Sequence, residues 1–213
     1  MYPKALARGA GVICVELEDG IAPKDKAEAR RKALALFELP QAYEGVERIV
    51  RINLMRERFG IEDVNAILTS KTPPPAHMMP EIRTPDEVAI LDQLLIETGH
   101  DTRLYVIIET NERLEAAFEI AKCSTLVDAM FFGGVDVAAE LRFQKNCDSL
   151  LYGRAHVVHA SAGAGLDVLD LPFLDLDVPK GIRVETDKVR DLGFLAKDQC
   201  AQSKLPPLMR CSR

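Results

Sequence analysis

The chain alternates between short apolar runs and longer segments in which apolar residues recur at helical spacing. The clearest apolar run is Leu104–Ile108, which is followed at once by Glu109 and by Thr110, a residue type that often begins a helix. An unbroken run of this length is too short for a membrane span and is typical of a parallel strand that helices cover on both faces. A second apolar run begins at Asp128 and ends at Asp136. The pattern therefore predicts two successive strands, each of which delivers a carboxylate at its end.

The same alternation continues along the chain and predicts six strands, each followed by a helix. Local signals support the boundaries, above all Thr84-Pro85-Asp86-Glu87, which reads as a capping box. The other predicted strands are Val12–Val15, Glu47–Asn53, His77–Ile82 and Leu166–Pro172. The predicted helices are Tyr2–Gly11, Lys24–Phe37, Ile61–Lys71, a helix from Thr84 to Gly99, Asn111–Lys122, Val135–Arg142, Leu150–Ala162 and Gly181–Gly193.

Alternating strands and helices with short connections predict an α/β protein with a parallel sheet. Such a sheet is completed either as a doubly wound open sheet or as a (β/α)8 TIM barrel. No GxGxxG motif lies in the first turn, which argues against the dinucleotide-binding form of the open sheet. In a barrel, catalytic groups lie at the C-terminal ends of the strands. The residues that fall there are Glu18, Asp19, Arg51, Glu109 and Asp136.

Composition and charge exclude several classes of protein. The formal net charge is -6 and the acids are dispersed, which is unlike a nucleic-acid-binding surface. No apolar stretch approaches the roughly 20 residues of a membrane-spanning helix, and the N-terminus lacks a signal-peptide core. The five cysteines include no CxxC pair, which is typical of reduced thiols in a cytosolic protein. We therefore expect a cytoplasmic protein that binds neither nucleic acid nor membrane.

The acids at the strand ends suit a magnesium site. Neighbouring parallel strands lie about 4.8 Å apart, so Glu109 and Asp136 can share one hard cation. Mg²⁺ needs one or two carboxylates besides water and substrate oxygens, whereas zinc would call for histidine or cysteine ligands. Gly133 and Gly134 would let backbone N–H groups approach a substrate carboxylate, and Arg51 could bind the same carboxylate in bidentate fashion. Together these residues predict a site for a small 2-oxo acid chelated to magnesium.

Each of these residues also has a purely structural interpretation. Glu109 and Asp136 could be acids at helix N-termini, where the helix dipole favours them. Arg51 taken alone could be an ion-pair partner, and Asp19-Gly20 could form a turn. The prediction of a site therefore depends on the combination of residues.

Four segments carry a resemblance to a known family. They are Val15-Glu16-Leu17-Glu18-Asp19-Gly20-Ile21-Ala22-Pro23-Lys24 with Ala29-Arg30, Val50-Arg51-Ile52-Asn53, Ile108-Glu109-Thr110, and Phe132-Gly133-Gly134-Val135-Asp136. In this order they resemble the citrate lyase β-subunit-like group of the HpcH/HpaI aldolase family, from about Tyr2 to Lys197. The resemblance implies a (β/α)8 barrel lyase that reversibly cleaves carbon–carbon bonds of 3-hydroxyacyl-CoA esters such as malyl-, citramalyl- or citryl-CoA. A smaller branch cleaves free 2-oxo-4-hydroxy acids, which is one alternative.

The resemblance also implies roles for the matched residues. Glu109 and Asp136 would ligate Mg²⁺, Arg51 would bind the 2-oxo acid, and Glu18 and Asp19 would order metal-bound water. The expected partners are a 2-oxo acid, a CoA thioester and further copies of the same chain in a homo-oligomer.

The chain departs from these relatives at three places. Relatives begin with a strand of the type Arg-Ser-x-Leu-x-x-Pro, and this chain starts after it. Relatives end with a Gly-Lys-x-x-Ile-His-Pro-x-Gln segment, and at that position this chain has Gly193-Phe194-Leu195-Ala196-Lys197-Asp198-Gln199-Cys200. Pro80-Glu81 stands where relatives often have Pro-Lys. We therefore expect an incomplete barrel over residues 1–197, lacking the first strand and with the eighth impaired, and an unpatterned tail over residues 198–213. A truncated, inactive homologue that serves as a binding or assembly subunit is a second alternative.

Overall fold

The structure is a computed structural model and describes residues 11–40, 45–141, 149–170 and 186–197. Its strands are β1 (Val12–Glu16), β2 (Glu47–Arg51), β3 (Ala76–Met79), β4 (Arg103–Ile108), β5 (Val127–Phe132), β6 (Asp167–Asp170) and β7 (Ala196–Lys197). Its helices are α1 (Lys26–Glu38), α2 (Arg58–Leu68), α3 (Pro85–Thr98), α4 (Asn111–Glu115), α5 (Ala117–Lys122), α6 (Gly134–Leu141), α7 (Ser149–Ala164) and α8 (residues 186–191).

The described strands form one parallel sheet in which each strand pairs with the next one along the chain, from β1 to β7. A doubly wound sheet reverses its strand order at a switch point, and no such reversal occurs among these strands. They form an incomplete TIM-barrel-like fold, so the predicted fold class is confirmed. The strand β7 has only two residues and lies in the segment where we expected an impaired last strand.

The sheet has two apolar faces because side chains alternate along each strand. On β4, Leu104, Val106 and Ile108 belong to the larger core between the sheet and the helices, whereas Tyr105 and Ile107 belong to a smaller cluster on the opposite face. The smaller cluster fills the barrel interior and also contains Ile49, Ala76, Met78, Ala129 and Phe131. Among the described elements, helices therefore cover β4 on one face only, and the expectation that they cover both faces was wrong.

Helix α3 begins and ends at the residues that the sequence marks. Pro85 is its first residue, and Gly99 ends it with a φ of 71°, in the left-handed region that glycine adopts without strain. The predicted capping box was wrong in detail. Thr84 makes no side-chain cap hydrogen bond, and the Glu87 carboxylate accepts from the N–H of Arg83 at 3.3 Å.

The predicted helix over residues 111–122 is divided at Ala116 into α4 and α5. Predictions for residues 2–10, for residues 181–185 and for the tail at 198–213 lie outside the described residues. Within the described part of the chain, no helix has both the length and the apolar character that crossing a membrane requires.

Candidate active site

The predicted site residues follow the C-terminal ends of the strands. Tyr105 and Ile107 face the barrel interior, so the same alternation turns Glu109 toward the mouth of the barrel. Glu16 ends β1 and Arg51 ends β2, and the two residues are paired in the ladder. We call the group at this end of the sheet the C-terminal edge, and it comprises Glu16, Glu18, Asp19, Arg51, Glu109 and Asp136.

Arg51 joins three of these carboxylates. Its Nε lies 2.8 Å from Oε2 of Glu16, and its Nη2 lies 2.8 Å from Oε2 of Glu18 and 3.5 Å from Oδ2 of Asp19. Burial lowers the pKa of Arg51, but these ion pairs outweigh burial and leave the pKa raised. Arg51 is therefore an ion-pair partner, as the structural interpretation expected. Its binding of a substrate carboxylate stays a prediction, for which Nη1 is the nitrogen that these ion pairs do not use.

Glu18 and Asp19 occupy one turn but differ in environment. The N–H of Ile21 donates to the carbonyl of Glu18 at 3.1 Å, so Asp19-Gly20 does form the expected turn. Burial raises the pKa of Glu18 to about 7, although the Arg51 guanidinium opposes this change. The Asp19 side chain is 81 % exposed and is only loosely held by Arg51. Glu18 is thus a fixed acid that titrates near neutral pH, and Asp19 is free to adjust.

Gly133 is required by the close approach of two strand ends. A Cβ added at this position would lie 2.2 Å from the Cβ of Glu109, which no side chain could tolerate. The N–H of Gly133 donates to the carbonyl of Ile108 at 2.8 Å and extends the ladder between β4 and β5. This N–H is therefore engaged in the sheet, and the binding of a substrate carboxylate at Gly133 stays a prediction. Gly134 is the first residue of α6, where N–H groups have no intrahelical acceptor, and its role stays a prediction.

Glu109 and Asp136 experience an excess of negative charge. Burial raises the pKa of Glu109 to about 7, a hydrogen bond from the N–H of Glu81 opposes this rise, and the Asp136 carboxylate adds to it. The pKa of Asp136 is also raised, by burial and by the carboxylates of Asp19 and Glu81. Asp136 lies in the first turn of α6 rather than directly at the end of β5. The two carboxylates are therefore close enough to repel each other, and a cation between them would relieve that repulsion.

The donor set at this edge fits magnesium. Among the described residues, no group of three or more His, Cys, Asp and Glu side chains is arranged to hold a metal ion. Two carboxylates are enough for Mg²⁺, which retains water molecules and binds substrate oxygens directly. The pair Glu109 and Asp136 offers only hard oxygen donors, so it does not fit a zinc centre.

A buried network that the sequence did not predict lies behind the turn that carries Glu18. Lys26 is 8 % exposed, and its Nζ donates to the carbonyls of Leu17 at 2.8 Å and Glu18 at 2.6 Å and to Oδ1 of Asn53 at 2.6 Å. Asn53 in turn donates through its backbone N–H and its side-chain amide to Oδ2 of Asp63, at 2.8 and 2.6 Å. Lys26 belongs to a helix rich in charged residues, so no sequence signal separates it from the solvated lysines beside it.

Glu81 is a second residue whose contact the sequence analysis did not foresee. Its N–H donates to Oε1 of Glu109 at 2.5 Å. The sequence signal was its position directly after Pro80, at one of the three departures from the family pattern that the resemblance indicated. Glu81 therefore contacts the predicted metal ligand through its backbone N–H, and its carboxylate also contributes to the raised pKa of Glu109.

Comparisons with known proteins identify relatives of this chain by sequence and by fold. The family model HpcH/HpaI aldolase/citrate lyase matches residues 1–201. Citrate lyase subunit beta of Escherichia coli K12 is 26% identical over 198 residues, which cover 88% of this chain and 64% of that protein. Mitochondrial citramalyl-CoA lyase of Mus musculus is 26% identical over 205 residues, which cover 86% of this chain and 59% of that protein. The chain thus spans slightly less than two thirds of the length of these relatives.

Two solved structures have a similar fold. RipC from Yersinia pestis is 34% identical with a TM-score of 0.80, and the match covers 90% of this chain and 83% of that one. The citrate lyase beta subunit from M. tuberculosis, complexed with oxaloacetate and magnesium, is 24% identical with a TM-score of 0.76. This match covers 93% of this chain and 84% of that one. The second likeness concerns the fold alone.

Proposed function

Since this chain belongs to the HpcH/HpaI aldolase/citrate lyase family, we propose that it is a Mg²⁺-dependent carbon–carbon lyase. Its substrate would be a 3-hydroxyacyl-CoA of the malyl-, citramalyl- or citryl-CoA type, which it would cleave to an acyl-CoA and a 2-oxo acid. The proposal extends to a homo-oligomer in the cytoplasm, with a barrel domain over residues 1–197 and a separate tail over 198–213.

One observation carries the proposal, namely the carboxylate pair Glu109 and Asp136 at the C-terminal edge. The pKa of the buried Glu109 is raised mainly by burial, and that of the more exposed Asp136 is raised by partial desolvation and by the carboxylates of Asp19 and Glu81. An edge of this kind is stable only if its acids take up protons or if a cation neutralises them. Mg²⁺ bound here would supply Lewis-acid polarisation of the substrate oxygen that becomes the carbonyl of the 2-oxo acid.

The remaining residues of the edge would bind and orient the substrate. Arg51 would attract the carboxylate of the 2-oxo acid, and the N–H of Gly134 at the start of α6 would donate to it. Glu18 and Asp19 would order water around the cation. When the carbon–carbon bond breaks, the substrate hydroxyl must lose its proton as it becomes the carbonyl of the 2-oxo acid. The electron pair of the broken bond goes to the acyl-CoA fragment, which must gain a proton. Glu18 is able to hold a proton near neutral pH because its pKa is raised to about 7.

The test is an assay of acetyl-CoA release from malyl-, citramalyl- and citryl-CoA, with and without Mg²⁺. We expect release from at least one substrate, dependent on Mg²⁺ and abolished by Glu109→Ala. The matched control is Glu119→Ala, at an exposed acid on α5, which should leave the release rate unchanged. If no substrate gives acetyl-CoA, the lyase assignment is wrong. Cleavage of free 2-oxo-4-hydroxy acids would then support the aldolase, and absence of any heat on Mg²⁺ titration would support the inactive subunit.

A further inference from the structure

The backbone at Glu81 adopts an unusual conformation. Its φ is 43°, and among the described residues it is the one non-glycine residue with a positive φ. Residues with a Cβ avoid this region because the Cβ approaches the following carbonyl oxygen. Such a conformation persists only when surrounding contacts enforce it, and strained residues of this kind cluster at functional sites.

The unusual backbone directs one donor at the predicted metal ligand. Pro80 has no N–H, so Glu81 carries the first N–H beyond β3. That N–H donates to Oε1 of Glu109 at 2.5 Å. Oε2 of Glu109 is left for a cation. A change of φ to a negative value at Glu81 would turn this N–H away and free the carboxylate to rotate.

Arg56 holds Glu81 in place through two contacts. Its Nη1 donates to the Glu81 carbonyl at 2.7 Å, and its Nη2 donates to Oε2 of Glu81 at 2.7 Å. The Arg56 side chain is only 21 % exposed, against 48 % for Glu81. Arg56 is itself fixed in a turn in which the N–H of Glu57 donates to the carbonyl of Leu54 at 2.9 Å. One guanidinium thus binds both the main chain and the side chain of the strained residue, and we call this pair the Arg56–Glu81 clamp.

We propose that the Arg56–Glu81 clamp positions Glu109 for metal binding by holding the Glu81 N–H against Oε1 of its carboxylate. The inference rests on the function proposed above, because it assumes that Glu109 ligates Mg²⁺. Arg56 and Glu81 are positioning residues here, and neither of them ligates the cation.

A purely electrostatic role for Arg56 makes the opposite prediction. If Arg56 only screened Glu81, its removal would leave one more negative charge near the site and would tighten Mg²⁺ binding. If Arg56 holds the backbone, its removal lets Glu81 return to a negative φ, and Mg²⁺ binding weakens. The sign of the effect of Arg56→Ala therefore separates the two roles.

The sharpest experiment compares two double variants by isothermal titration calorimetry with MgCl₂. Arg56→Ala/Glu81→Ala and Arg56→Ala/Glu81→Gly have the same net charge and differ by one methyl group. Glycine adopts a positive φ without strain, whereas alanine does not. We therefore expect the glycine variant to bind Mg²⁺ about tenfold more tightly than the alanine variant. Equal affinities, or tighter binding after Arg56→Ala alone, would overturn the proposal.

Glu109→Gln separates this inference from the proposed function. If Glu109→Gln binds Mg²⁺ as the wild type does, the metal site itself is wrong. If Glu109→Gln abolishes binding while the two double variants bind equally, the site stands and the clamp is wrong. Thermal unfolding without Mg²⁺ checks that each variant is folded. Should Arg56→Ala prevent folding, the single variants Glu81→Gly and Glu81→Ala provide the same comparison with Arg56 in place.

Discussion

The two ends of the sheet both gather charged side chains, but they balance the charges differently. At the N-terminal edge, Nη2 of Arg103 lies 2.5 Å from Oε1 of Glu47, its Nη1 lies 3.0 Å from Oδ2 of Asp128, and the Tyr105 hydroxyl donates to Glu47 at 2.9 Å. Each carboxylate there has a partner within the cluster. The arrangement needs no ligand, and we interpret it as structural.

The C-terminal edge has more acids than it can neutralise. Arg51 is shared among three carboxylates, and Glu109 and Asp136 have no ion pair among the described residues. Burial raises the pKa of Glu18 and that of Glu109 to about 7, and neighbouring carboxylates add to this rise. The contrast teaches that charged residues alone do not distinguish the two edges, and it is the unbalanced cluster on which the proposed function is built.

The largest expected effect is on catalysis at the C-terminal edge. Glu109→Gln keeps the shape of the side chain but removes a metal-binding charge, so we expect a loss of about 10³-fold in the rate of acyl-CoA release. The free energy of unfolding, measured in urea without Mg²⁺, should not fall, because the variant relieves repulsion with Asp136. A loss of stability comparable with that of the next variant would contradict the contrast between the two edges.

The second effect is on stability at the N-terminal edge. Glu47→Ala leaves Arg103 and the Tyr105 hydroxyl without their shared partner, and the Glu47 side chain is only 12 % exposed. We expect the free energy of unfolding to fall by about 3 kcal/mol, while activity per folded molecule is unchanged. Glu119→Ala on the exposed side of α5 serves as the control and should alter stability by less than about 0.5 kcal/mol.

The third effect is a pH dependence near the N-terminal edge. His77 is buried on β3 with Nε2 3.1 Å from Oγ1 of Thr102, and burial, with a smaller contribution from His100, lowers its pKa to about 3. The unfolded chain binds a proton at this histidine below about pH 6.5 and the folded chain does not, so stability falls with falling pH. Between about pH 6.5 and 5 we expect a loss of about 2 kcal/mol. His77→Gln should remove this part of the slope in urea denaturation, and an unchanged slope would contradict it.

The smallest effect has the opposite sign and lies at the C-terminal edge. Glu18 has its pKa raised from 4.5 to about 7, so the folded chain keeps a proton that the unfolded chain has lost. Its contribution to stability is therefore present below about pH 4.5 and is lost as the pH rises through 7. Because Arg51 and solvent screen the carboxylate, we expect a loss of about 1 kcal/mol over this range. The free energy of unfolding, measured by urea denaturation over this pH range, should fall with rising pH by about 1 kcal/mol more in the wild type than in Glu18→Gln.

The architecture was predictable because periodicity reports burial directly. The apolar run at β4 and the helical spacing after it predicted the alternating elements, and the lack of a glycine-rich phosphate motif favoured the barrel. Arg51, Glu109 and Asp136 were found because the ends of parallel strands lie at one edge of any such sheet. Details that depend on geometry within a turn, such as the capping box at Thr84, were not predictable.

The sequence by itself thus determined the class of fold, the family and the edge of the sheet at which the acids gather. Only the tertiary structure decided which groups already form hydrogen bonds or ion pairs. The N–H of Gly133 donates within the ladder, and Arg51 pairs with three carboxylates. Lys26 donates to the carbonyl of Glu18, and the N–H of Glu81 donates to Glu109. The physical reason is that spacing along a chain fixes which face a residue occupies. Hydrogen bonds and raised pKa values depend instead on neighbours distant in sequence, which come together only when the sheet curls.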